Sequence, residues 1–109
     1  MPGASGPDGW FTTTVRPAGP LDHAALARLS ETLGALEPSS DMVVVDLTAA
    51  DVRDPYGLAR HLLGPARRFE QAGRCVLLVG APPALKAELN RTAVPVVTLE
   101  PDAITRNAA

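Results

Sequence analysis

The sequence has little of what cross-links a small protein or inserts it into a membrane. Among 109 residues there is one cysteine, Cys75, so neither an internal disulfide nor a cysteine-rich metal framework can form. Apolar runs such as Val76–Val79 are far shorter than the roughly 20 residues that cross a bilayer. The amino-terminal residues lack the positive start and apolar middle of a secretory signal. We therefore expect a cytoplasmic protein without membrane insertion.

A large excess of charge of either sign is also absent. The chain has ten Lys and Arg residues and twelve Asp and Glu residues, which gives a formal net charge of -2. Binding to nucleic acid through bulk positive charge is therefore not expected. Hydrophobic residues make up 46% of the chain and charged residues 20%, as in ordinary globular proteins, and the length fits one domain.

The common motifs of enzymes are missing as well. The chain has no glycine-rich phosphate loop, no Gly-x-Ser-x-Gly nucleophile motif and no His-Glu-x-x-His zinc motif. His23 and His61 are too few for a metal site, which normally needs three or four ligands. Cys75 has no Cys-x-x-Cys partner, so we expect a buried, inert thiol. The sequence thus predicts no enzyme, no metal and no cofactor. The alternative is a small enzyme that uses Cys75 or a histidine, and it requires a reactive thiol or imidazole.

The β-branched and apolar segments predict the strands. Residues 1–9 are rich in Gly and Pro and are predicted to be a flexible lead-in to a domain over residues 10–109. The predicted strands are Phe11–Val15, Met42–Leu47, Cys75–Val79 and Val94–Leu99. The nearly unbroken apolar run of the second predicts a central strand with helices on both faces. Pro95 predicts that the last strand lies at or near an edge.

Three helices are predicted between these strands, because helix-starting residues precede apolar residues at helical spacing. Their predicted starts are Asp22, Asp54-Pro55 and Pro82-Pro83. Gly73 is expected to end the second helix, and a further short helix is predicted from Asp102 through Ile104. Alternating strands and helices indicate an α/β fold with a mainly parallel sheet of four or five strands and packed helices.

Three segments, in order and with matching spacing, resemble one known family. Gly19–His23 resembles its Gly-x-Leu-Asp turn, and Val43–Leu47 resembles its central Asp-Leu strand. Asp54–Leu58 resembles its Asp-Ser-Ser-Gly-Leu loop at the start of the second helix. The family is the STAS domain, shared by sulfate transporters and anti-sigma factor antagonists. The resemblance covers roughly Phe11–Ile104 and implies a STAS-like fold.

The resemblance implies a protein-binding module. In the antagonist branch of the family, this loop and its helix dock onto an anti-sigma factor that is also a serine kinase and phosphorylates the first serine. The implied partner is therefore an anti-sigma factor/serine kinase, without direct contact to nucleic acid. The implied partner-binding residues are Asp22, Asp54, Pro55, Tyr56, Gly57, Leu58 and Arg60.

The chain departs from the family at the position of the phosphorylated serine. Pro55 stands there and has no hydroxyl, so no phosphosite is expected at this position. Tyr56 replaces the second serine, and its longer phenol would misfit a serine kinase. The resemblance thus implies a docking surface without its phosphate switch. The alternative is a structural STAS subunit of a scaffold or membrane transporter complex, and the oligomeric state stays open.

Several of these residues also have a purely structural interpretation. Asp22 and Asp54 can be plain helix caps, and Tyr56 can pack against a neighbouring loop instead of anchoring an interface. Arginines in and beside the second helix form either a solvated face or a surface for an anionic partner, and Arg60 and Arg67 face the same way. These arginines are Arg53, Arg60, Arg67, Arg68 and Arg74.

Overall fold

The computed structural model describes residues 11–101, over which strands and helices alternate. The strands are β1 (Thr12–Val15), β2 (Gly19–Pro20), β3 (Met42–Asp46), β4 (Ala50–Asp51), β5 (Cys75–Val79) and β6 (Val97–Leu99). The helices are α1 (His23–Leu36), α2 (Pro55–Gln71) and α3 (Pro83–Arg91). None of these helices is long and apolar enough to span a bilayer. The predicted lead-in over residues 1–9 and the predicted helix from Asp102 lie outside the described residues.

A four-stranded parallel sheet in the order β1-β3-β5-β6 forms the centre of the fold. β3 and β5 are its inner strands, and β6 lies at an edge, so both predictions of strand position are confirmed. β6 begins at Val97 instead of Val94, because Pro95 has no N–H to donate and Ala93 turns the chain with a φ of 55°. The α/β fold with a mainly parallel sheet is confirmed.

The helices cover one face of the sheet. Leucines of α1, α2 and α3 join the inward-facing side chains of β3 and β5 in a single buried cluster. The members of that cluster with 0% exposed surface are Leu33, Val43, Val45, Leu58, Phe69, Leu78 and Leu85. Met42, Val44 and Cys75 face the other way and are only half-buried. The prediction of a buried Cys75 is therefore wrong, and within residues 11–101 the helices α1, α2 and α3 do not bury both faces of β3 as predicted.

The two ends of α2 follow the sequence signals. Pro55 is its first residue. A proline fits there because the N–H of the first helical residue has no acceptor within the helix, so its absence costs no hydrogen bond. Gly73 follows its last turn with a φ of +75°, a conformation that costs glycine little. The N–H of Arg74 then donates to the carbonyl of Phe69 at 2.8 Å, which closes the carboxyl-terminal turn. The predicted end at Gly73 is confirmed.

A second, two-stranded parallel ladder joins β2 to β4, and the sequence did not predict it. The N–H of Gly19 donates to the carbonyl of Ala49, and the N–H of Leu21 donates to the carbonyl of Asp51, both at 3.0 Å. Pro20 lies between these donors and tolerates the ladder because its missing N–H is not needed there. The ladder ties the segment before α1 to the segment before α2.

The side chain of Asp46 fixes the loop after β3. Its Oδ1 accepts from the backbone N–H of Thr48 at 3.0 Å and from the Thr48 hydroxyl at 2.6 Å. Its Oδ2 accepts from Nε of Arg16 at 2.9 Å. The Thr48 hydrogen bonds, helped by Arg16 and opposed by partial burial, hold the pKa of Asp46 below its ordinary value.

Thr48 also lies against the loop after β5. Gly80 has a φ of +77°, and a Cβ built on it would stand 2.9 Å from Cγ2 of Thr48. Glycine therefore satisfies both the backbone conformation and the narrow gap at this position.

Candidate functional site

The start of α2 is held in place by its own cap. Oδ1 of Asp54 accepts the N–H of Gly57 at 2.9 Å, and the Asp54 carbonyl accepts the N–H of Leu58 at 2.9 Å. These bonds satisfy amide groups that lack a partner within the helix. The cap interpretation of Asp54 is thus confirmed, and it fixes the direction in which the following side chains project.

Tyr56 and Arg60 form an exposed pair on this first turn. The Tyr56 side chain is 50% exposed, and the guanidinium carbon of Arg60 lies 5.5 Å from the centre of its ring. A cation above an aromatic face is attracted by the ring's electron density, so the two side chains stabilise each other's orientation. The result is an amphipathic projection at the start of α2.

Leu58 corrects one site prediction. Its side chain is fully buried in the core between the sheet and the helices. A side chain without exposed surface cannot contact a partner in this conformation, so Leu58 supports the site from below. Gly57 is half-buried and Pro55 is half-buried, whereas Asp54 is exposed.

Asp22 has the same role at α1 that Asp54 has at α2. Its Oδ1 accepts the N–H of Ala25 at 2.9 Å, and its carbonyl accepts the N–H of Leu26. The cap interpretation of Asp22 is confirmed. The residue after it, His23, is the first residue of α1 and faces α2.

An open groove of about 590 Å³ runs between α1 and α2 beside this projection. We call it the α1–α2 groove. Its lining residues are His23, Leu26, Ser30, Asp54, Tyr56, Gly57, Arg60, His61, Gly64, Pro65 and Arg68. The groove therefore contains Asp54, Tyr56, Gly57 and Arg60 of the predicted site, but not Asp22, together with residues of α1 and of the middle of α2.

Two histidines meet across the groove. The rings of His23 and His61 are 6.1 Å apart and nearly perpendicular. Nδ1 of His61 lies 2.8 Å from the carbonyl oxygen of Gly57, and because a carbonyl only accepts, Nδ1 carries the proton. Within residues 11–101 no group of three or more His, Cys, Asp or Glu side chains could hold a metal ion.

Arg68 lies over the place where the two helices approach each other. Its Nε donates to Oε1 of Glu37 at 3.2 Å. A Cβ on Gly64 would stand 3.5 Å from its Nη1, and a Cβ on Gly34 would stand 3.7 Å from its Nη2. The guanidinium thus spans from α2 to α1. The sequence pattern paired Arg60 with Arg67, whereas Arg60 and Arg68 are the arginines of this groove.

The comparisons with known proteins place this fold in a family. The family model of the STAS domain matches residues 4–102, which is nearly the whole chain. The protein belongs to the STAS domain family. A search among curated protein sequences finds no match.

Solved structures have the same architecture. The anti-sigma factor antagonist SpoIIAA in its unphosphorylated form aligns with a TM-score of 0.67 and 16% identity, covering 89% of this chain and 90% of that one. The Bacillus cell fate determinant SpoIIAA in its phosphorylated form gives 0.67 and 18%, covering 86% and 89%. The STAS domain of a SulP transporter from Vibrio cholerae gives 0.56 and 18%, covering 89% and 84%. The predicted STAS-like fold is confirmed.

Proposed function

We propose that this protein is a non-catalytic binding module of the anti-sigma factor antagonist type, which acts in the cytoplasm by docking onto an anti-sigma factor/serine kinase. The docking surface consists of the start of α2 and the adjoining start of α1. Its residues are Asp22, Asp54, Pro55, Tyr56, Gly57 and Arg60.

The exposed pair of Tyr56 and Arg60 carries this proposal. Tyrosine and arginine are enriched among the residues that dominate binding energy, and here they already hold each other in a defined orientation. The Asp54 cap and Pro55 fix the backbone beneath them, so docking costs little conformational entropy. The likeness of the fold to SpoIIAA, named as an anti-sigma factor antagonist, supports the same class of partner.

The proposed docking is not switched at the family's serine position. Pro55, the first residue of α2, stands where the resemblance to the family places that serine, and it has no hydroxyl to accept a phosphate. A phosphate at a helix start would add between one and two negative charges beside Asp54. Without that charge change, this surface binds its partner whether or not ATP is present.

The test is direct titration by calorimetry of the anti-sigma factor kinases encoded in the same cell. We expect one kinase to bind, and Tyr56→Ala and Arg60→Ala each to weaken its affinity about tenfold. Arg67→Ala is the matched control, since Arg67 is an exposed arginine of α2 outside the groove. Binding of no kinase, or equal losses for Arg60→Ala and Arg67→Ala, would overturn the proposal.

A second candidate function follows from the SulP transporter STAS domain, which has the same fold. In that case the protein is a structural subunit of a transporter or scaffold complex. Co-purification with transporter subunits and no affinity for any anti-sigma factor kinase would favour this second function.

A further inference from the structure

We infer that the α1–α2 groove receives an acidic segment of the protein partner, whose carboxylates bind Arg60 and Arg68. The inference rests on the proposed function for the identity of the partner. The groove and its charge, however, belong to this chain and are testable without that partner.

The first argument is the exposed guanidinium groups that line the groove. Among residues 11–101, Arg60 has no carboxylate partner, and its guanidinium lies over the Tyr56 ring. Arg68 uses Nε for Glu37, and its side chain remains 51% exposed. The one carboxylate lining the groove in this part of the chain is Asp54, whose Oδ1 accepts the Gly57 N–H. The groove thus offers guanidinium donors that suit carboxylates.

The second argument is spacing. Arg60 and Arg68 are eight residues apart on one helix, which corresponds to about 12 Å along its axis. The guanidinium of Arg60 lies over Tyr56, and that of Arg68 lies over Gly64, so each side chain extends back toward the residue four positions before it. The distance between the two guanidinium groups is therefore similar to the distance between their backbone positions. The two groups therefore do not converge on one small anion. Two separate carboxylates on one polypeptide segment match this arrangement.

The third argument is what lies between the two arginines. His23, Ser30 and His61 present polar side chains there, and Leu26 and Pro65 form a buried floor. Nδ1 of His61 is already bound to the Gly57 carbonyl, which leaves its Nε2 for a ligand. Hydrogen-bonding groups along an open groove suit a peptide chain, which carries donors and acceptors at every residue.

The experiment follows the amide signals of the isotope-labelled full chain by NMR during titration with an octaglutamate peptide. We expect shifts at groove residues such as Ser30, Gly57 and Gly64, and weaker binding as salt rises from about 50 to 300 mM, because screening reduces the attraction. Octalysine and inorganic phosphate are the comparison probes. Equal shifts with either one, or shifts away from the groove, would overturn the inference.

Variants then assign the charge to individual side chains. Arg60→Gln and Arg68→Gln should each weaken octaglutamate binding at least fivefold, whereas Arg67→Gln should change it less than twofold. Thermal unfolding establishes that each variant is folded. Equal effects of Arg67→Gln and Arg68→Gln would contradict the inference.

Titration of the kinase against Arg68→Gln separates this inference from the proposed function, since Arg68 is outside the proposed docking residues. We expect the affinity to fall at least fivefold. If the kinase binds wild type and Arg68→Gln equally, the inference that an acidic segment of the partner binds in the groove is wrong, and the proposed function stands. If octaglutamate binds in the groove but no kinase binds, the proposed function fails and the groove's preference for an acidic segment stands.

Discussion

The carboxylate of Asp54 occupies the space that a side chain on residue 57 would need. A Cβ on Gly57 would stand 2.8 Å from Cγ of Asp54 and closer still to its Oδ2. The same carboxylate accepts the Gly57 N–H at 2.9 Å. Gly57 has no positive φ, so glycine is required here by the cap and not by the backbone conformation.

Gly57→Ala should therefore change binding more than stability. Alanine favours the helix by about 1 kcal/mol over glycine, and losing the Asp54 cap costs about 1 kcal/mol. We expect the free energy of unfolding in urea to change by less than about 1 kcal/mol, while the affinity for the kinase falls because Asp54 is displaced.

Gly64→Ala is the stability control for that variant, because its Cβ would make only ordinary contact with Arg68, at 3.5 Å. It should raise the free energy of unfolding by up to about 1 kcal/mol. Unchanged kinase affinity in Gly57→Ala would show that docking does not depend on the position of the Asp54 carboxylate.

The two helix caps offer a matched pair of variants. Asp22→Ala and Asp54→Ala should each lower the free energy of unfolding by about 1 kcal/mol, whereas the Asn variants should stay close to wild type. Urea unfolding followed by circular dichroism measures both. A loss well below that in Asp54→Ala would mean that water replaces the cap without cost.

Asp46 should make stability depend on acid pH. Its pKa is lower in the folded protein than in the unfolded chain, so its stabilisation is complete above the unfolded pKa and is lost as pH falls through the folded one. At pH 7, Asp46→Asn should be less stable than wild type by roughly 1 kcal/mol, since a charged hydrogen-bond acceptor is lost. The difference should disappear in strong acid.

Urea unfolding at neutral and acid pH tests this dependence, with Asp51→Asn as the control. Asp51 pairs with Arg53, but both side chains are more than half exposed, 55% and 68%. Such pairs contribute at most about 1 kcal/mol. If Asp46→Asn loses stability in acid as steeply as wild type, Asp46 is not the responsible group.

Pro55→Ser should restore the missing phosphate acceptor. Serine fits the first turn of a helix, and Asp54 would still cap the N–H of Gly57. Incubated with the partner kinase and ATP, the variant should gain one phosphate at residue 55 and then bind more weakly, whereas wild type should gain none there. Peptide mass spectrometry locates the phosphate. Phosphate on Tyr56 of wild type would contradict the proposed loss of the switch.

Much of the fold could be predicted because its signals are local. The caps at Asp22 and Asp54 and the end of α2 at Gly73 depend on residues within one helical turn. The apolar sequence of β3 likewise indicated an inner strand. The failures concern longer distances. An apolar run does not reveal whether both faces are covered, so the half-burial of Val44 and Cys75 was missed.

The candidate site could be predicted only along one helix. The resemblance of the loop located Tyr56 and Arg60, but the choice of Arg68 over Arg67 depends on how α1 packs against α2. That approach places Gly34 of α1 beneath the guanidinium of Arg68, which is 34 positions further along the chain. The β2–β4 ladder was missed for a different reason: its strands have two residues each, and so short a strand has no periodicity to detect.

The close approach of Thr48 and Gly80 sets a rule for how descendants of this sequence can diverge. Any replacement of Gly80 brings both a strained backbone and a collision with the Thr48 methyl group, so a larger residue there requires a compensating exchange at 48. A smaller residue at 48 would remove the collision but not the positive φ of residue 80, so the two loops are coupled through this contact.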